Sequence, residues 1–190
     1  MALDLRNWVD RVPEMSAEKL KTTLPSALDQ IRQYGMWELT REVPALLARI
    51  MRRLVAIDAA KFANETPEVL DKFMDFFWEG ASIIAAKNGK LWLMGGSIQA
   101  NVNLEADDSP FTTHFGVSSG RLSGGSGLWR YKDQDFKYFG PTETLMRLLT
   151  GDVDLQQALF TKINFEGHPV WASRLGPVVA LVIPSIVRGY

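Results

Sequence analysis

The sequence predicts an α+β fold with an N-terminal helical extension, from two contrasting patterns. Between Ser16 and about Asn88 apolar side chains recur at the helical period. After Gly95-Gly96 the chain changes to short runs that alternate every second residue and are punctuated by Gly, Pro, Asn, Asp and Ser. The boundary therefore separates a helical region, 1–95, from a strand-rich region, 96–190. No linker between them is long enough for independent domains, so the two parts are expected to share one core.

In the helical region the clearest face is Val43, Leu46, Leu47, Ile50, Met51, Leu54 and Ile57, with Arg49, Arg52 and Arg53 mostly on the other side. A long helix is announced by Thr66 as N-cap and Pro67 at the first helical position. It carries Leu70, Phe73, Met74, Phe77, Ala81 and Ile84 on one face and ends at Asn88-Gly89. Its centre, Phe73, Met74, Phe76, Phe77 and Trp78, is apolar beyond one stripe. Such a helix should bury two faces or pair with a second subunit in a homodimer.

The strand-rich region starts with Ile98, Ala100, Val102 and Leu104 alternating with Gln99, Asn101, Asn103 and Glu105. Residues Asp107 to Pro110 turn the chain, Phe111, Thr113, Phe115 and Val117 alternate again, and Ser118-Ser119-Gly120 turns it once more. A glycine-rich third strand covers Leu122 to Trp129, and a fourth covers Asp135 to Phe139. Thr142 is placed to cap a helix with Leu145, Leu148 and Leu149 on its face, stopped at Thr150-Gly151. A short helix around Leu155 to Phe160 leads to a fifth strand, where Ile163 and Phe165 face one way. Gly167-His168-Pro169 then turns into a final apolar segment with Trp171, Leu175, Val178, Val179, Val182 and Ile186.

Composition narrows the function classes. The 190 residues are 46% hydrophobic and 23% charged, which excludes intrinsic disorder. A net charge of −1 gives no pull toward nucleic acid. The lack of cysteine excludes disulfides, thiol catalysis and thiolate zinc sites. The N-terminus lacks the basic start and apolar run of a secretory signal, and the run Pro177 to Val187 is too short for a bilayer span and is interrupted by Pro184. A cytoplasmic location is expected.

Chemical motifs are weak. Gly120, Gly124, Gly125 and Gly127 lack the Lys-Ser/Thr of a phosphate loop and the strand-to-helix context of a dinucleotide site, so hairpin turns and bulges explain them better. Ser126 has Leu128 where a nucleophile elbow needs glycine. His114 and His168 lack zinc-protease spacing. The pairs Asp133/Asp135 and Asp152/Asp154 suit turns and helix caps. Arg41, Arg49, Arg52 and Arg53 form a basic face that either is simply solvated or touches anionic lipid transiently at a membrane surface.

The segment Leu145 to Gly167 resembles the signature of the sterol carrier protein type 2 family. The matching residues are Leu145, Leu148 and Leu149, then Gly151, Asp154, Ala158, Lys162, Ile163, Phe165 and Gly167. The family's glycine before the lysine is missing here, and its terminal Gly-Asp has become Gly167-His168. The order of turns in Ser97 to Phe139 is also similar, so the resemblance covers roughly Ser97 to Ser185.

The resemblance implies a mainly antiparallel five-stranded sheet covered by helices on one face, with an apolar tunnel between them that holds a lipid. The lining it implies is Val102, Leu104, Phe115, Val117, Phe160, Ile163, Phe165, Trp171, Leu175, Val178, Val179 and Val182, with no cofactor, metal or catalytic residue required. The expected function is binding, and transfer or presentation, of a lipid, fatty acyl, sterol or quinone-like molecule. Two alternatives stay open: an accessory interaction module with a filled core, and an enzyme in which His114, His168 or the loop aspartates converge.

Overall fold

The computed structural model describes residues 4–88, 98–168, 170, 176–179 and 183–188. The helices are α1 (Leu5–Arg11), α2 (Ala17–Tyr34), α3 (Met36–Glu42), α4 (Leu46–Ala56), α5 (Ala59–Glu65) and α6 (Pro67–Asn88). Strands β1 (Gln99–Ala106), β2 (Thr112–Ser118), β3 (Arg121–Ser126) and β4 (Phe136–Gly140) follow, then α7 (Thr142–Thr150), α8 (Leu155–Thr161), β5 (Asn164–Gly167) and α9 (Ile183–Val187). The chain is thus α+β, with its helices concentrated before the sheet.

The five strands lie in the order β3-β2-β1-β4-β5. β1 pairs antiparallel with β2, β2 with β3 and β4 with β5, but β1 and β4 run parallel at the centre. The sheet is therefore mixed, which corrects the expectation of a mainly antiparallel one. The parallel pair exists because residues 127–135 carry the chain back across the sheet instead of folding into a hairpin. Asn103 holds this crossover: its Oδ1 accepts from the Trp129 amide at 2.8 Å, and its Nδ2 donates to the Trp129 carbonyl and to Gln134. Those bonds explain why Asn103, on the polar side of β1, is only 1% exposed.

Alternation and register sort the two faces. Val102 stands beside Phe115 on β2 and Phe136 on β4, and Leu104 beside Thr113 and Tyr138. These side chains share one buried face, while Asn101, Glu105, His114 and Lys137 take the other. α6 lies on the apolar face at β3 and β2, and α7 packs against β1 and β4. One hydrophobic cluster runs from Trp8 and Val9 through α2, α4 and α6 into the sheet and on to Ile183 and Val187.

Helix α6 spans the predicted residues and buries Phe73, Met74, Phe76, Phe77 and Trp78 completely within the chain. Its N-terminus differs from expectation. Thr66 does not cap α6 with its side chain; its hydroxyl donates to the Phe62 carbonyl at 2.9 Å and closes α5. A similar reassignment occurs at α7, where Thr142 is the first helical residue rather than the cap. The cap comes from Asp108 in the β1–β2 turn, which accepts from the Thr142 amide at 2.9 Å and from its hydroxyl. Ser109 adds a hydroxyl contact to Thr142 at 2.7 Å. A turn acid thus supplies the acceptor that helix N-termini require.

Candidate functional site

The apolar face of the sheet is the candidate site, and its two halves differ. On the β2–β3 side the indole of Trp78 stacks on Phe115, with 5.1 Å between centroids and 24° between planes. Its N–H donates to Thr113 Oγ1 at 2.7 Å, and Thr113 passes a bond to the Gly125 carbonyl at 2.6 Å. Gly124 is glycine because a Cβ there would lie 2.7 Å from the Trp78 ring and 2.6 Å from the His114 carbonyl oxygen. Val102, Phe115 and Val117 are at most 1% exposed in this packing. Side chains fill this half.

The β4–β5 half is built from aromatics. Phe136 meets Tyr138 edge-on at 4.7 Å and stacks on Phe165 of the neighbouring strand at 5.3 Å. Tyr138 pairs in register with Leu104 and with Phe165. Tyr138 is only 1% exposed, yet Phe165 is 44% exposed, so the aromatic row runs from the interior to the surface along the edge strand. Burial pushes the Tyr138 phenol up to about 12. Beyond the edge, a hollow of about 420 Å³ is lined by Tyr131, Gln134, Asp135, Glu166 and Gly167.

The structure places the expected lining residues unevenly. Val102, Leu104, Phe115 and Val117 occupy the inner face, Ile163 is buried against Gly140, and Val178 and Val179 are each 1% exposed. Phe160 stands 89% exposed on α8, so it lines no enclosed space. Trp171, Leu175 and Val182 lie outside the described residues. The motif from α7 to β5 has the expected plan: Gly151 takes a left-handed φ of +69° after α7, Asp154 caps α8 by accepting from the Gln157 amide at 3.0 Å, and Ala158 is buried.

The polar candidates are occupied by structural bonds. His114 Nδ1 lies 3.1 Å from the Gly127 carbonyl with its ring against Trp129, and His168 Nδ1 accepts from the Val170 amide at 3.3 Å. Asp135 accepts from the Asn101 amide at 2.8 Å, and the Asp133 carbonyl accepts from the Asn101 side chain at 2.8 Å. Among the described residues no group of three or more His, Asp or Glu is arranged to hold a metal ion. The arginines of α4 are engaged within the chain while staying partly exposed: Arg52 binds Asp152, Arg53 donates to the Met15 carbonyl at 2.6 Å, and Arg49 lies 3.5 Å from Asp10. Among the described residues no helix is long and apolar enough to cross a membrane.

No family model matches the sequence, and no curated protein matches it. Solved structures similar in shape include a conserved hypothetical protein from Thermus thermophilus at 11% identity and a TM-score of 0.48, covering 57% of this chain and 81% of that one. Sterol carrier protein 2 from Yarrowia lipolytica, in its apo form, matches at 14% identity and a TM-score of 0.36 over 59% of this chain and 81% of that one. The stereoselective inverting sec-alkylsulfatase Pisa1 from Pseudomonas matches at 14% identity and a TM-score of 0.43; it covers 93% of this chain, which spans 31% of that protein.

Sequence reasoning missed Tyr138. Its signal is present in Phe136, Tyr138 and Gly140 alternating with Lys137 and Phe139, the same period of two that placed β1 and β2. What it lacked was the neighbour: the parallel register with Leu104 is set by a crossover that alternation does not encode.

Proposed function

We propose that this chain binds a hydrophobic small molecule of the lipid, fatty acyl, sterol or quinone type between the sheet and its helices, as a carrier or presenter rather than as an enzyme. The observation that carries the reading is the aromatic row Phe136, Tyr138 and Phe165, which joins the buried face to the surface at the edge strand. An apolar ligand laid along it gains about 25 cal/mol for each Å² removed from water, so few polar groups are needed. The resemblance of Leu145 to Gly167 to the sterol carrier signature supports the same reading. Because Val102 is fully buried and Phe115 is covered by Trp78 of α6, a ligand enters from the β5 side by displacing side chains at the edge.

Extraction of the purified chain with organic solvent, followed by mass spectrometry, tests this. A lipid recovered at about one per chain, or saturable uptake of N-phenyl-1-naphthylamine at that ratio, is the expected result. Neither lipid nor saturable uptake overturns it. That outcome favours the second reading, an interaction module with a filled core, for which the Trp78–Phe115 packing is the specific observation.

A further inference from the structure

We propose that the hollow beside β5 is a subsite for an organic ammonium group, and that the ligand is an amphiphile with a quaternary ammonium head. The inference rests on the binding reading above and specifies its ligand. The hollow, about 420 Å³, is lined by Tyr131, Gln134, Asp135, Glu166 and Gly167. It opens at the end of the β4–β5 pair, where Phe136 faces Gly167 in register. Gly167 has a φ of +136°, and a Cβ there would lie 2.6 Å from the Phe136 ring and 2.7 Å from the Asp135 carbonyl oxygen. The glycine therefore lets the chain close directly on Phe136, whose ring stacks on Phe165. The hollow and the aromatic row consequently share a wall.

The lining selects the charge of what enters. Asp135 is pinned to β1, its amide donating to the Asn101 carbonyl at 2.9 Å and its Oδ2 accepting from the Asn101 amide at 2.8 Å. Glu166 lies 3.0 Å from Lys137, and the same ammonium lies 3.2 Å from Glu105. Three carboxylates thus answer to one lysine. Among the described residues no Lys, Arg or His lines the hollow; Arg130 and Lys132, on the same crossover, stand outside it. An anionic head would meet this acidity unscreened by any basic side chain of the lining. The remaining wall is the ring of Tyr131, which is 85% exposed. An aromatic face attracts a cation through its quadrupole, and quaternary ammonium groups are recognised by aromatic rings in this way. Tyr131 supplies the face, Asp135 and Glu166 supply the charge, and the alkyl tail runs from the shared wall along Phe136 and Phe165.

The test compares three compounds of one chain length, dodecyltrimethylammonium, 1-dodecanol and dodecyl sulfate, in displacing N-phenyl-1-naphthylamine from the full chain below their micelle concentrations. The ammonium is expected to bind about tenfold more tightly than the alcohol, the size of one cation–π contact reinforced by a partly screened ion pair. The sulfate should bind more weakly than either. Tyr131→Ala and Glu166→Gln should each remove several-fold of the preference for the ammonium and leave the affinity for 1-dodecanol unchanged. Glu14→Gln, which removes an acid between α1 and α2, should leave the preference intact, whereas an effect of overall charge would lower it equally. If the wild-type chain binds ammonium and alcohol alike, or Tyr131→Ala and Glu166→Gln keep the preference, the subsite is wrong while the binding reading stands. If the dye is not taken up and no compound binds, the binding reading falls and tetramethylammonium alone decides the subsite. A saturable shift of the Tyr131 ring signals in NMR then supports it, and unmoved signals overturn it.

Discussion

Asp152 grips Arg52 with both carboxylate oxygens, at 2.7 Å each, across one hundred residues of sequence. The same carboxylate accepts from Arg188 at 2.9 Å and from the Thr150 hydroxyl at 2.8 Å. A single acid at the end of α7 therefore ties α4 of the helical region to the sheet region and to the residue after α9. Arg52, foremost among its partners, holds the Asp152 carboxyl below the usual carboxylate range.

Replacing Asp152 by Asn is expected to lower stability by about 1–2 kcal/mol at neutral pH, the range of a partly screened charge-assisted pair. The sign with pH follows from the direction of the shift. The folded state holds this proton less tightly than the unfolded state, so the contribution is complete above the ordinary carboxylate pKa of about 4 and disappears as pH falls through the lower folded value. Urea denaturation across pH should show the wild-type advantage over D152N at pH 7 and its decline as pH falls below the ordinary carboxylate range. An advantage that does not decline with pH would mean that shape, not charge, makes the difference.

The cap on α7 gives a second measurable consequence. Asp108 supplies from the β1–β2 turn the acceptor that Thr142 was expected to provide itself. Asp108→Ala should cost about 1 kcal/mol, as cap deletions do, whereas Asp108→Asn keeps an oxygen for the Thr142 amide and should cost less. Thermal midpoints of the two variants decide it, and equal midpoints for both and for wild type would show that the turn does not support the helix.

These two bonds show what was legible in the sequence and what was not. Local patterns placed α6 and α7 and put the four longer strands within a few residues, because burial on one face imposes a period on each element by itself. The same patterns assigned Thr66 and Thr142 to caps that their hydroxyls do not make, since a nearby acceptor or a distant carboxylate competes and neither leaves a local trace. Gly124 was readable as a turn or bulge glycine, but its reason is the indole of Trp78, 46 positions earlier in the chain. Of the expected lining, alternation placed Val102, Leu104, Phe115 and Val117 on the buried face of the sheet, where they lie. It did not foresee the exposure of Phe160, which the α8 pattern leaves on the solvent side, nor the burial of Tyr138, whose place depends on the parallel pairing of β4 with β1.

Phe165 provides the test of where a ligand enters. Its ring stacks on Phe136 but is 44% exposed, so removing it takes away surface at the rim more than core. Phe165→Ala should reduce uptake of N-phenyl-1-naphthylamine several-fold while lowering stability by only about 1 kcal/mol, well below the cost of deleting a fully buried phenylalanine. Phe115→Ala, by contrast, should be costly to stability, because Trp78 rests on that ring. Dye titration alongside denaturation separates the two sites, and equal uptake by wild type and F165A would move the entrance away from β5.

Tyr138 can be followed through its own ionisation. Burial pushes its phenol up to about 12, well above an ordinary tyrosine near 10. The absorbance rise near 295 nm that belongs to Tyr138 should therefore come late in an alkaline titration. The folded state disfavours the Tyr138 phenolate, so the stability tied to the neutral form is complete below pH 10 and is lost between about 10 and 12, roughly 3 kcal/mol in all. The Tyr138→Phe variant should lose the late step in the spectrophotometric titration and show a shallower fall in stability over that interval.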